Sequence, residues 1–211
     1  MDQPHIPESV FEHKQTFATP WVDQWVVQNP FISPILESLR PDGVSLADFS
    51  FNRDPSNFAE VALNIVVRRL NAAIRVGLDT ITYTAVNADW GMSSQLSDLF
   101  ERVSARVQKV IGAHANAQEA TLALHVISAE VDFGASTVPL VTPSLSAQAN
   151  FCGISIYRDD GILTIDKSVK YDRAAFVRLH YRFSGDTSFK EIAGAIYDRE
   201  VAALRLLGLK V

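Results

Sequence analysis

Twice in this chain, a stretch that alternates with a period of two gives way to one with helical spacing. In the first, Ile81, Tyr83 and Ala85 oppose Thr80, Thr82 and Thr84. Met92, Leu96, Leu99, Val103, Val107 and Val110 then recur at intervals of three and four. In the second, Val177, Leu179, Tyr181 and Phe183 oppose Arg178, His180 and Arg182, and Phe189, Ile192, Ile196 and Tyr197 follow as a helical stripe. Period two gives a strand one apolar face, and a period near 3.6 gives a helix one apolar stripe. The parallel extends to single residues, since Leu99-Phe100-Glu101-Arg102 answers Ile196-Tyr197-Asp198-Arg199. A meander with one apolar face must be covered, and one helix per half supplies the cover.

The pattern predicts an α+β fold. Its antiparallel sheet, or sheets, come from two pseudo-repeated units, each a strand meander followed by a helix, with the long helices covering one face. Residues 1–46 form an N-terminal arm with short helices, 47–116 the first sheet-helix half and 117–211 the second, within one integrated domain. Met1 to Pro20, with three prolines, two histidines and scattered charges, reads as an extended segment. Pro34 to Leu39 reads as a short helix ended by Pro41-Asp42-Gly43.

Strands are expected at Ala47 to Phe51, Ala62 to Leu70 (where a helix is the alternative), Ala72 to Val86, Ala120 to Val131, Asn150 to Tyr157, Ile162 to Val169 and Ala174 to Phe183. Asn71 suits a turn between the second and third of these, and Asp159-Asp160-Gly161 is a hairpin signal. Ser93 or Ser94 caps the first long helix, which Gly112 ends, and Ser188 with Glu191 forms a capping-box pattern for the second. Residues 132–148, rich in Ser, Thr and Pro, read as a long loop.

The 24 acidic and 19 basic side chains give a net charge of −5, which repels phosphate backbones on average and argues against nucleic-acid binding. A single cysteine, Cys152, permits no intrachain disulfide and suits a reducing, cytoplasmic setting. No stretch is long and apolar enough for a signal-peptide core or a membrane span.

The phosphate-loop lysine, the dinucleotide glycine fingerprint, HExxH, paired CxxC and GxSxG are all missing. Among the five histidines, His5, His13, His114, His125 and His180, no pair has a usual metal spacing. Neither a metal nor a cofactor is expected. Asp159 and Asp160 are adjacent carboxylates in a tight turn, and Cys152 shares a strand face with Ile154 and Ile156, so both read as structural.

Two groups remain as candidates. Arg178, His180 and Arg182 fall on one strand face at intervals suited to holding a carboxylate or phosphate. The solvated outer face of an antiparallel sheet explains the same pattern. Trp21, Trp25 and Phe31 form an aromatic cluster that either docks on its own chain or binds a partner.

The leading expectation is a non-catalytic binding or assembly protein, a subunit that self-associates or joins a protein complex. The alternative is a protein or enzyme binding a small anionic ligand in a pocket between sheet and helices. The direction of the Arg178 face separates them: into a closed cavity for the second, toward water for the first.

Overall fold

The computed structural model describes residues 4–22, 31–52, 60–87, 93–129, 131–138 and 151–209. It is α+β, with one large antiparallel sheet whose nine strands run in the order β2-β3-β4-β5-β1-β6-β9-β8-β7. The strands are β1 (His5–Thr16), β2 (Phe49–Asn52), β3 (Ala62–Val67), β4 (Ala72–Val76), β5 (Thr80–Val86), β6 (Ala117–Ile127), β7 (Ile154–Arg158), β8 (Gly161–Lys167) and β9 (Ala175–Ser184). The helices among the described residues are α1 (Ile32–Leu39), α2 (Ser93–Ile111), α3 (Phe133–Thr137) and α4 (Phe189–Leu206). None is long and apolar enough to cross a membrane.

Two segments depart from the sequence reading. The extended N-terminal segment is not an arm: its residues 5–16 are β1, the central strand of the sheet. Phe11, His13, Gln15 and Phe17 are all buried, so a two-residue period is present. Its polar members concealed it. The stretch expected as one strand from Ala72 to Val86 is two, β4 and β5, paired antiparallel with Ile74 opposite Tyr83. Gly77 makes the turn between them, donating its N–H to the carbonyl of Thr80 over 2.8 Å.

Elsewhere local chemistry sets the boundaries as expected. Asn71 takes the left-handed conformation (φ 46°) between β3 and β4. Asp159 and Asp160 form the turn between β7 and β8, with Arg158 opposite Gly161. A side chain at Gly161 would meet the His180 carbonyl oxygen at 2.2 Å, so glycine is required by space. Ser188 and Glu191 cap α4 reciprocally, with contacts of 2.9 Å from Ser188 N–H to Glu191 Oε2 and 3.3 Å from Glu191 N–H to Ser188 Oγ. Leu99 on α2 and Ile196 on α4 are fully buried, as their stripes require. Within the expected long loop lies α3, and residues 139–150 are outside the described residues.

The chain clusters into two compact units. One comprises residues 11–120 and 182–193, the other 1–10, 121–181 and 194–211, so β1, β6, β9 and α4 each pass through both. In the first unit, α1 packs on α2, and Asp42, itself buried, is gripped by Arg102 (2.6 Å) and Arg69 (3.0 Å). Arg102 also donates to the Ser38 carbonyl at 2.8 Å, tying α2 to the end of α1. In the second unit the Arg199 guanidinium stacks 3.7 Å from the centre of the Tyr181 ring and pairs with Asp160. There Glu8 of β1 pairs with Lys170 and accepts from Tyr171 Oη at 3.1 Å.

Because β1 sits between β5 and β6, its loss leaves each of these strands with one unpaired edge. A chain starting after Thr16 is expected to lose cooperative unfolding altogether. Circular dichroism with thermal melting checks this, and a sharp native-like transition would show that β1 is dispensable.

A candidate binding cleft under helix α2

Within the first unit, a cleft of about 460 Å³ lies between β-strand residues and α2. His13 and Gln15 of β1, Tyr83 of β5, Phe100 and Ser104 of α2, Gln118 of β6 and Phe189 of α4 line it. Four rings form one cluster. His13 stacks on Tyr83 with centroids 5.6 Å apart and planes inclined by 11°. Phe100 lies 4.5 Å from Tyr83 and 4.8 Å from Phe189, which stands edge-on to His13 at 5.3 Å. Aromatic pairs favour such offset and edge-to-face arrangements, which hold the rings in place.

A chain of neutral polar groups crosses the cleft, and its direction follows from one residue. Gln118 Nε2 faces three backbone carbonyls, of Ser184 (3.0 Å), Gly185 (3.1 Å) and Thr187 (2.7 Å). Carbonyls only accept, so this end of the amide must be the nitrogen. Gln118 Oε1 therefore accepts, from His13 Nε2 at 2.8 Å and from Gln15 Nε2 at 3.2 Å. Gln15 Oε1 in turn accepts from Ser104 Oγ at 2.7 Å, and Ser104 Oγ from Gln108 Nε2 at 2.9 Å. That leaves Gln108 Oε1 to accept from His114 Nδ1 at 2.9 Å.

Two atoms are left over. With its proton on Nε2, His13 presents a bare lone pair at Nδ1, and this buried atom has no hydrogen-bond partner among the described residues. Nor has the Tyr83 hydroxyl, which is likewise buried. His13 is 1% exposed and Tyr83 0%. Burial pushes the His13 imidazole down to about 4, the Gln118 bond offsetting only part of that, so the ring is neutral at pH 7. Burial likewise drives the Tyr83 phenol well above its ordinary value, with the nearby Ser104 hydroxyl pulling weakly the other way. Native proteins pair most buried polar atoms with protein or water, so two such atoms on residues lining one cleft mark it as the candidate site.

The rim is acidic where it is charged. Glu101 and Asp186 are exposed lining residues, and the cleft has no lysine or arginine. The Ser184 hydroxyl holds the Asp186 carboxyl below its ordinary value. Among the described residues, no three His, Cys, Asp or Glu side chains group as a metal ion requires.

The residues singled out from sequence lie elsewhere. Arg178 is exposed on β9 opposite Thr164 of β8, its face open to solvent. His180 is half-buried, with Nδ1 2.9 Å from Thr121 Oγ1. Arg182 is exposed and sits 3.6 Å from Glu119. None of the three lines the cleft. Trp21 is buried, donating Nε1–H to the Gly77 carbonyl at 2.9 Å and packing edge-on to Phe17 at 4.7 Å. Phe31 is fully buried 6.3 Å from Trp21, and Trp25 lies outside the described residues. Cys152 is partly buried, its N–H directed at Thr137 Oγ1.

The cleft residues His13, Gln15, Tyr83, Ser104 and Gln118 were not found from sequence. The signal was two polar residues, His13 and Gln15, at alternate positions between Phe11 and Phe17. The chain matches no protein-family model, and a search of curated proteins finds no match to it.

The His13 environment makes stability pH-dependent. The folded ring resists protonation down to about pH 4, whereas an unfolded histidine takes its proton near 6.5. The unfolded state binds the extra proton between these values, so stability is fullest above about 6.5 and declines as pH falls toward 4, by about 3 kcal/mol. Urea unfolding at pH 7 and pH 4.5, parent against His13→Phe, separates this from the carboxylates. The variant is expected to lose markedly less, and equal losses would refute the assignment.

Proposed function

We propose that this chain is a non-catalytic binding protein, acting by holding another molecule in the cleft beneath α2. The orphaned Nδ1 of His13 and hydroxyl of Tyr83 carry this reading, because a buried unpaired polar group costs about 1–3 kcal/mol, and a bound molecule that pairs it recovers that. The neutral network supports holding rather than transforming. His13 is oriented by an amide, not a carboxylate, and its low basicity makes it a poor general base at neutral pH. The outward, solvated position of Arg178 favours this class over an anion-binding enzyme.

Tyr83→Phe separates binding from structure. If the hydroxyl serves a ligand, its removal leaves stability unchanged or raises it by about 1–3 kcal/mol. Fragments that bind the parent in ligand-observed NMR are expected to bind this variant more weakly, and to be displaced by filling the cleft mouth with Ala105→Trp. Destabilisation by Tyr83→Phe, with fragment binding unchanged in both variants, sinks the reading.

Association with a second chain belongs to the same proposal. β7 ends the sheet, and Ile156 (40%) and Tyr157 (75%) are exposed on it. An end strand leaves backbone donors and acceptors open to pairing. Two antiparallel copies related by a twofold axis at Ile156 place Ser155 opposite Tyr157 and Ile154 opposite Arg158. Light scattering at micromolar concentration is expected to give about twice the 23.3 kDa chain mass, lowered by Ile156→Lys. A single-chain mass for the parent removes the assembly half of the proposal.

The sheet order also supports the reading of the fold as a duplicated unit. From one side it runs β3-β4-β5-β1 and from the other β7-β8-β9-β6, with α2 following β5 and α4 following β9. The first copy then starts with β1, and β2 is an addition at its edge. Superposing the two sets of Cα atoms in an experimental structure tests it, and failure of the strands and helix to overlay together rejects duplication.

A further inference from the structure

We infer that the cleft ligand is an uncharged molecule that carries a hydrogen-bond donor on a ring or other apolar body. This rests on the cleft being a binding site and goes on to name what it selects. The orientation of the network supplies the argument. The three carbonyls on Gln118 fix its amide, which fixes the His13 proton on Nε2, which leaves Nδ1 able only to accept. A ligand must therefore bring an N–H or O–H to His13.

Charge decides the rest. A carboxylate or phosphate finds no cation on the lining and passes Glu101 and Asp186 at the rim. A buried cation needs an anionic partner, and the interior groups are amides, hydroxyls, rings and a neutral imidazole. The walls include His13, Tyr83, Phe100 and Phe189, which hold one another in one ring cluster and give a ligand an apolar surface to lie on. A volume of about 460 Å³ lies within the range usual for small-ligand sites.

The test uses three ring-sized probes on the full chain. 2-Pyridone carries both the donor and the acceptor, N-methyl-2-pyridone lacks the donor, and benzoate is an anion of similar size. Each is titrated while the ring nitrogens of ¹⁵N-histidine-labelled protein are followed by NMR at pH 7. 2-Pyridone is expected to shift His13 Nδ1 and to bind roughly tenfold more tightly than its N-methyl analogue, the worth of one buried hydrogen bond. Benzoate is expected to leave His13 unmoved. In His13→Phe, the preference for 2-pyridone over the N-methyl compound should vanish.

Equal binding of the two pyridones, or tighter binding of benzoate, overturns the ligand class while leaving the cleft a binding site. Silence of every cleft resonance toward all three probes and toward the fragments displaced by Ala105→Trp overturns the site itself. The comparison of the two pyridones is made on the parent protein, so it stands even if His13→Phe fails to fold.

Discussion

The side-chain amide of Gln118 is the fixed point from which the first unit is organised. Its nitrogen is shared among three carbonyls of residues 184–187, and its oxygen receives β1 through His13 and Gln15. One residue of β6 thus links the central strand to the segment that leads into α4. Close packing reinforces the junction. At Gly185 a side chain would meet the Ala115 carbonyl oxygen at 2.1 Å, so the backbone there approaches closely enough only because glycine is present. The Asn116 N–H donates to the Thr16 carbonyl at 2.9 Å, closing the end of the β1–β6 pair. A buried amide of this kind contributes modestly when satisfied and costs heavily when broken, so it specifies an arrangement more than it stabilises one.

What the sequence disclosed and what it concealed divide along the same line. Elements built from apolar residues at regular spacing were legible: the α2 and α4 stripes through Leu99 and Ile196, the alternation of β5 and β9, the caps at Ser188 and Glu191, and the Asp159-Asp160-Gly161 turn. β1 was not, because its inward positions after Phe11 are His13 and Gln15. A pattern search treats a polar residue as outward-facing, and these two face inward because Gln118 satisfies them. The same substitution of hydrogen bonding for apolar contact hid the cleft. A site made of amides, one neutral histidine and a tyrosine carries no motif, since its chemistry lies in which groups meet across 105 residues of chain.

The positively charged stripe on β9 is a separate case. Arg178, His180 and Arg182 were conspicuous because charge stands out in a sequence, yet regular alternation by itself says only that one face is polar. Their neighbours are Thr121, Thr164 and Glu119, small or acidic groups that suit an open face. Trp21 makes a related point. The sequence left open whether Trp21 docks on its own chain or on a partner, and in the structure it closes the β4–β5 turn by donating to Gly77 while its backbone N–H reaches the Leu78 carbonyl at 2.9 Å.

A protein of this size has few kilocalories of stability to spare, about 5–15 kcal/mol. Against that, a neutral buried histidine with an unpaired lone pair and an unpaired tyrosyl hydroxyl, side by side, are a real liability. His13 as an architectural element is only half explained, because Gln118 uses Nε2 and nothing uses Nδ1. Tyr83 is explained less still, since phenylalanine has the same ring contacts without the hydroxyl. Local rules of folding tend to be broken where function requires it. In the first unit the breach falls on two atoms, both on residues lining one cleft, while every other polar side chain of the chain from Gln118 to His114 is paired in a consistent donor-to-acceptor order. A network satisfied everywhere except at those two atoms is what supports the proposed binding role, since stability alone gives no reason to place polar groups there.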